Sequence, residues 1–126
     1  MAANEDLYLV AFEIALELNG VDAYSFAPNW EAARVAGKWF MITTIRDGER
    51  ILVLKAPPED VQALQQAFDE ITPGYHMNKK HWYTVHAGPA IDAAILRELV
   101  TDAYLTVVEN LPKAQRPFGW QTYYPN

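Results

Sequence analysis

Cysteine is absent from the chain, which excludes disulfides, thiolate nucleophiles and cysteine-based zinc sites together. That absence suits a reducing cytosol. Serine is nearly absent too. Ser25 is the sole one, and it stands in Tyr24-Ser25-Phe26 without the glycines of a nucleophile elbow. The six glycines are scattered and form neither common phosphate-cradling loop. No apolar run approaches the roughly 18 residues needed to span a bilayer. Met1 to Asp6 carries acid where a signal peptide would carry base. Together these absences predict a soluble, cytoplasmic protein with no membrane partner, no cofactor and no catalytic residues. Glu13 and Glu17, one helical turn apart, read as a solvated helix face rather than an acid/base pair.

Base is also in short supply. Ten lysines and arginines face sixteen acids, for a net charge of −6, which disfavours generic nucleic-acid affinity. The distribution is uneven. Residues 1–22 carry −5, residues 56–70 carry −4 and residues 91–110 carry −3, whereas residues 33–55 carry +3 and residues 71–90 carry +2.

What the chain does have is enough length and apolar content for one packed domain. It has 126 residues, 51% of them hydrophobic, with four tryptophans. A chain of this size buries roughly two-thirds of its unfolded surface. Residues 5–18 read as a helix capped by Asn4, with Leu7, Val10, Ala11, Ile14 and Leu18 on one face and Asn19-Gly20 as its stop. Residues 21–32 read as a loop, in which Phe26 and Trp30 would cover one end of the core. Residues 33–55 read as a three-stranded meander, with a hairpin turn at Asp47-Gly48. Pro57-Pro58-Glu59-Asp60 opens a second helix with Val61, Leu64 and Phe68 facing inward. Tyr75–Met77 and Trp82–Ala87 read as two strands around a loop at 78–81. Residues 91–110 form the longest helix, with Leu96, Leu99, Val100, Ala103 and Val107 as its core face.

This order, α-β-β-β-α-β-β-α, predicts an α+β domain with an antiparallel sheet of about five strands and helices on one side. The acidic segments are the helical ones and the basic segments are strands and hairpins, so a more basic sheet side is expected. Residues 1–116 would be the domain and residues 117–126 an aromatic tail. Phe118, Trp120, Tyr123 and Tyr124 in that tail are too many aromatics for a free end, which predicts docking on the domain or on a partner.

The least generic stretch is Pro73-Gly74-Tyr75-His76-Met77-Asn78-Lys79-Lys80-His81-Trp82-Tyr83-Thr84-Val85. Lys79 and Lys80, beside Asn78 and His81, could meet a phosphate or could be a solvated hairpin tip that discourages edge aggregation. His76, His81 and His86 recur every five residues, but a hairpin gives them no reason to converge on a metal. Trp82 and Tyr83 must point to opposite faces, so at least one belongs to the core.

This segment closely resembles the signature of the MmcQ/YjbR family, small bacterial proteins usually labelled DNA-binding. Val35-Ala36-Gly37-Lys38-Trp39-Phe40 looks like the family's "V-x-GKxF" strand pair, and the helix from Ile91 to Asn110-Leu111-Pro112 like its closing helix. The resemblance covers most of residues 5–116. It implies a CyaY/frataxin-like α+β fold, compared with double-wing DNA-binding domains, and no enzymatic activity or cofactor. The expected function is a non-enzymatic binding domain, either weakly DNA- or nucleic-acid-binding or regulatory, that uses the basic sheet side and the hairpin tip at 78–81. Its nucleic-acid contacts would be Lys38, Arg46, Asn78, Lys79, Lys80 and His81. The alternative is a protein-interaction adaptor, or self-association, through the acidic helical face and Phe118, Trp120, Tyr123 and Tyr124. A third possibility, by analogy with the acidic first helix of frataxin-like proteins, is a metal- or small-ligand module.

Overall fold

The computed structural model describes the backbone of residues 4–124 and the side chains from Leu7 to Tyr124. The expected capping by Asn4, with Glu5 and Asp6 in the first turn, lies outside the described side chains. The elements run α1 (Asn4–Glu17), β1 (Val21–Ala27), β2 (Trp30–Val35), β3 (Lys38–Arg46), β4 (Glu49–Lys55), α2 (Pro58–Ala67), β5 (Ile71–Pro73), β6 (Trp82–Val85) and α3 (Ala93–Glu109), followed by two short 3₁₀ turns. They form one six-stranded sheet in the order β1-β2-β3-β4-β6-β5. Every neighbouring pair is antiparallel.

The sheet has one strand more than expected, and residues 21–32 are not a loop. Val21–Ala27 pairs with Trp30–Val35 across a two-residue turn at Pro28-Asn29, with Asn29 in the left-handed region at φ 64°. β1 is an edge strand, exposed along most of its length, so it lacks the apolar/polar alternation that marks a half-buried strand. Residues 75–77 are not a strand either. The strand that pairs with β6 is Ile71–Pro73, and residues 74–81 form a single loop. The Asp47-Gly48 hairpin is present as expected, with φ 51° and 80° at the two positions, the geometry a two-residue turn requires.

The helices pack on one face of the sheet. Leu7, Ala11, Ile14 and Leu18 of α1 and its C-terminal stop, with Leu96, Leu99, Val100, Ala103 and Val107 of α3, bury against Phe40, Met41, Leu52, Leu54, Tyr83 and Val85. Of the second helix, Val61 is buried and Leu64 and Phe68 pack partly covered. Burial pushes the Tyr83 hydroxyl above its ordinary range. β4 is buried on both faces from Ile51 to Leu54, as its unbroken apolar run implies.

The other face holds a second, smaller cluster: Ala32, Ile42, Val53 and Trp82, bordered by Phe26, Trp30, Trp39, Tyr75 and Met77. Phe26 and Trp30 therefore cover the open face of the sheet rather than one end of the main core. A β-bulge decides which residues reach which face. Arg34 pairs with Trp39 but Ala33 pairs with Met41, leaving Phe40 as the additional residue. Phe40 and Met41 consequently both face the helices, while Trp39 and Ile42 face the other way.

No described helix is long and apolar enough to cross a membrane.

Candidate binding surface

The open face is an array of rings. Tyr24 and Phe26 on β1 alternate with Ser25, so both point the same way. Phe26 stacks on Trp39 with centroids 4.7 Å apart and contacts Trp30 at 5.8 Å. Trp30 lies nearly parallel to Tyr75, at 7° and 6.3 Å. Arginines sit over the outer rings, Arg34 at 4.5 Å from the Tyr24 centroid and Arg46 at 4.6 Å from that of Tyr75. Lys55 Nζ lies 5.2 Å from the Trp82 ring. These are cation–π distances. Tyr24 remains 40% exposed, whereas Trp82, at 5%, is a floor for the cluster rather than a contact surface.

Charge on this face differs from that of the whole molecule. Arg34 is partly neutralised by Asp22, at 3.0 Å. Arg46 has only a 3.9 Å approach to Asp47, with both side chains well exposed, an arrangement worth little. Arg50 comes from the same basic segment but turns toward the helices, its guanidinium 4.5 Å over the Tyr8 ring. Nε and Nη1 of Arg50 are buried with no hydrogen-bond partner among the described residues.

The loop 74–81 closes over the end of this face, and its chemistry is mostly internal. Gly74 has an ordinary φ. Its role is close approach, since a Cβ there would stand 2.8 Å from the Trp82 carbonyl oxygen. The left-handed residue is instead His76, at φ 60°, with its ring 4.2 Å from that of Tyr75. The Thr84 hydroxyl donates to the Pro73 carbonyl at 2.9 Å and accepts from the Tyr75 N–H at 2.9 Å. Lys79 Nζ donates to the Gly74 carbonyl at 2.9 Å. Asn78 Oδ1 accepts from the Lys80 N–H at 2.8 Å, a side-chain turn of the kind asparagine favours.

The six expected nucleic-acid residues thus have different surroundings. Asn78 and Lys79 hold the loop together. The Lys80 side chain is exposed. Lys38 and His81, distant in sequence, line one cleft together with Trp39, Lys55 and Trp82. Arg46 lies at the far end of β3 from Lys38, roughly 25 Å away at about 3.3 Å per residue. The histidines also separate: His86 bridges Glu49 at 3.1 Å and Thr72 at 3.0 Å, away from His81. No group of three histidines or carboxylates able to hold a metal occurs among the described residues. Residues that sequence reasoning left out are Tyr24, Arg34, Trp39 and Lys55. The i, i+2 aromatic pair Tyr24 and Phe26 was the available signal for the platform.

The tail folds back on the domain. Trp120 and Tyr123 pack against the main core, and the Tyr104 and Tyr123 rings meet edge to face at 5.5 Å. Asn19 is the clasp. Its N–H donates to the Tyr123 hydroxyl at 2.9 Å, its side chain donates to the Phe118 carbonyl at 2.7 Å, and its carbonyl accepts from the Tyr104 hydroxyl at 2.6 Å. Desolvation, with the nearby Tyr123 hydroxyl, pushes the Tyr104 hydroxyl up to about 12. Tyr124 leans on Trp120 at 5.7 Å. Phe118 points out fully, at 96% exposed, and Tyr124 remains 39% exposed.

Comparison with known proteins gives consistent relatives. A family model described as YjbR matches residues 16–106. The uncharacterized protein YbdF of Escherichia coli O157:H7 is 38% identical over 110 residues, spanning 86% of this chain and 90% of YbdF. The uncharacterized protein YjbR of Escherichia coli K12 is 27% identical over 90 residues, spanning 70% of this chain and 76% of YjbR. Among solved structures, the crystal structure of Deinococcus radiodurans protein DR2400, of the DUF419 domain family, superposes with a TM-score of 0.76 at 32% identity, covering 92% of this chain and 86% of that one.

Proposed function

The chain belongs to the YjbR family, and on that premise we propose that it is a non-enzymatic binding domain whose open sheet face takes up single-stranded nucleic acid weakly. The observation that carries this reading is the coincidence of partly exposed rings and arginines on one sheet face: Tyr24, Phe26, Trp30, Trp39 and Tyr75 with Arg34 and Arg46. Such a platform suits unpaired bases, which offer a flat ring to stack and a phosphate to neutralise. A duplex hides its bases and offers mainly its phosphates, for which four or five cations on an acidic protein are a poor match. The expected preference is therefore for single strands, with Asn78 and Lys79 acting as loop architecture rather than as contacts.

The test is fluorescence anisotropy with a labelled oligothymidine and a labelled duplex at low and moderate salt. If Arg46, Lys55, Lys38 and Lys80 each meet a phosphate, the salt slope for the single strand is about −2.8, at roughly −0.7 per contact. Tyr24→Ala removes about 1–3 kcal/mol of binding, and Arg46→Glu weakens it further. Absence of binding at low salt, or an equal preference for duplex, removes the proposal.

The adaptor reading draws less support. Trp120 and Tyr123 are engaged within the chain, which leaves Phe118 and the more covered Tyr124 as the exposed tail aromatics. Phe118→Ser with a light-scattering measurement tests it, and an unchanged oligomeric state counts against it.

A further inference from the structure

The cleft that joins Lys38 to His81 has a composition unlike the rest of this acidic molecule. It encloses about 650 Å³, within the range of small-ligand sites. Lys38, Lys55 and His81 line it together with the indoles of Trp39 and Trp82, and not one carboxylate is among its lining residues. A cleft of similar size on the helical side, about 620 Å³, is lined by Glu17, Glu98 and Asp102 against Arg97. The contrast arises from topology. The first residues of β3, the last of β4 and the first of β6 all end at this corner, and the turn before β3, the exit of β4 and the loop before β6 each place a base there.

The walls are not equivalent. One is formed by the last turn of α3, where Val107 and Leu111 present apolar surface and Asn110 a polar group. A helix C-terminus carries partial negative charge, so an anionic group belongs on the opposite side, toward the two lysines and the histidine. Lys55 is held by its position over the Trp82 ring. Lys38 is exposed. Trp39 offers a partly exposed indole, the flat surface on which an aromatic body would lie.

From this arrangement we infer that the cleft binds a small organic anion with a planar aromatic body, its acidic group between Lys38, Lys55 and His81 and its ring against Trp39. The site adjoins the sheet platform and shares Trp39, Lys38 and Lys55 with it, but it does not require Tyr24, Arg34 or Arg46. A phosphate or a carboxylate would satisfy the same bases, so the test separates them.

Calorimetric titration of the full chain uses four probes: adenosine 5′-monophosphate, adenosine, inorganic phosphate and 1-naphthoate. The expected result is that at least one of the two ring-bearing anions binds about tenfold or more tightly than adenosine and inorganic phosphate, a difference of about 1.4 kcal/mol. Preference between the nucleotide and the naphthoate identifies the acidic group. Lys38→Glu should abolish this binding without changing the thermal midpoint, since Lys38 is exposed, and Lys55→Gln should weaken it. Arg46→Glu, which weakens binding at the sheet platform, should leave it intact. Equal binding of adenosine and its monophosphate, binding insensitive to Lys38→Glu in a folded variant, or flat titrations with both ring-bearing anions at millimolar concentration would each overturn the inference. Weakened oligonucleotide binding in Arg46→Glu with retained small-anion binding distinguishes the cleft from the arginine-bearing part of the platform.

Discussion

The two faces of the sheet are made by the same strands and have opposite characters. Toward the helices, β3, β4 and β6 present Phe40, Met41, Leu52, Leu54, Tyr83 and Val85, all essentially inaccessible. Away from them, the same strands and their neighbours present indole and phenol rings that are only partly covered, with arginines laid over them. An antiparallel sheet with one solvated face ordinarily places polar residues there. Here that face is aromatic and the charged residues lie over its rings. The closed face holds the fold together, and the open face keeps its bordering rings partly accessible. Charge is uneven too: α1, α2 and α3 carry mostly acid, whereas on the sheet Arg34, Lys38, Arg46, Arg50 and Lys55 are interspersed with Asp22, Glu31 and Glu49.

The largest test of this division is Phe40→Ala. Phe40 is fully buried against Tyr104, with ring centroids 5.7 Å apart, and its truncation is expected to lower stability by about 3–5 kcal/mol in a denaturant titration. A loss below about 1 kcal/mol would mean that the closed face is not the core.

A smaller effect is expected for Gly74→Ala. The added Cβ would meet the Trp82 carbonyl oxygen at 2.8 Å, so the loop must lift from β6. Overpacking of this kind costs about 1–3 kcal/mol. Hydrogen exchange should show the Tyr75 amide, bonded to Thr84, losing protection before the amides of β4.

Tyr24→Ala sharpens the comparison from the other side. Tyr24 is half-exposed on an edge strand, so stability should change by about 1 kcal/mol or less, while single-strand binding falls. A variant that lost as much stability as Phe40→Ala would make the open face structural.

The smallest effect concerns the acidic side. Desolvation, followed by Glu98 and Asp60, raises the Asp102 carboxyl above its usual range. Its folded-state pKa therefore exceeds its unfolded value, and ionisation costs the folded state. That cost is absent well below the ordinary carboxylate pKa of about 4 and appears as pH rises through the raised value. Asp102→Asn should accordingly raise the thermal midpoint slightly at neutral pH, and the advantage should vanish near pH 3. An advantage that grew on acidification would reverse the assignment.

Most of the architecture could be read directly from the chain. Helical spacing of Leu7, Ala11, Ile14 and Leu18, and of Leu96, Leu99, Val100, Ala103 and Val107, marks the faces that are in fact buried. The Asp47-Gly48 turn and the apolar run Ile51–Leu54 mark the centre of the sheet. Periodicity works there because burial on one side imposes it. It fails at β1, where an edge strand has no deeply buried side, and at residues 75–77, where a loop tied down by Gly74, Thr84 and Lys79 looks locally like a strand.

The candidate site divides similarly. The unusual residue types of Pro73–Val85 and of Val35–Phe40 are visible as sequence, and so is the concentration of base in strands. That Lys38 and His81 share a cleft, that Arg46 stands far from both, that Asn78 and Lys79 serve the loop, and that Trp39 faces away from the helices were all decided by the fold. Local patterning follows from which side of an element meets water, a property of consecutive residues. Convergence of distant residues depends on strand order, on the bulge at Phe40 and on the path of one loop, and those are set only when the helices and the sheet pack together.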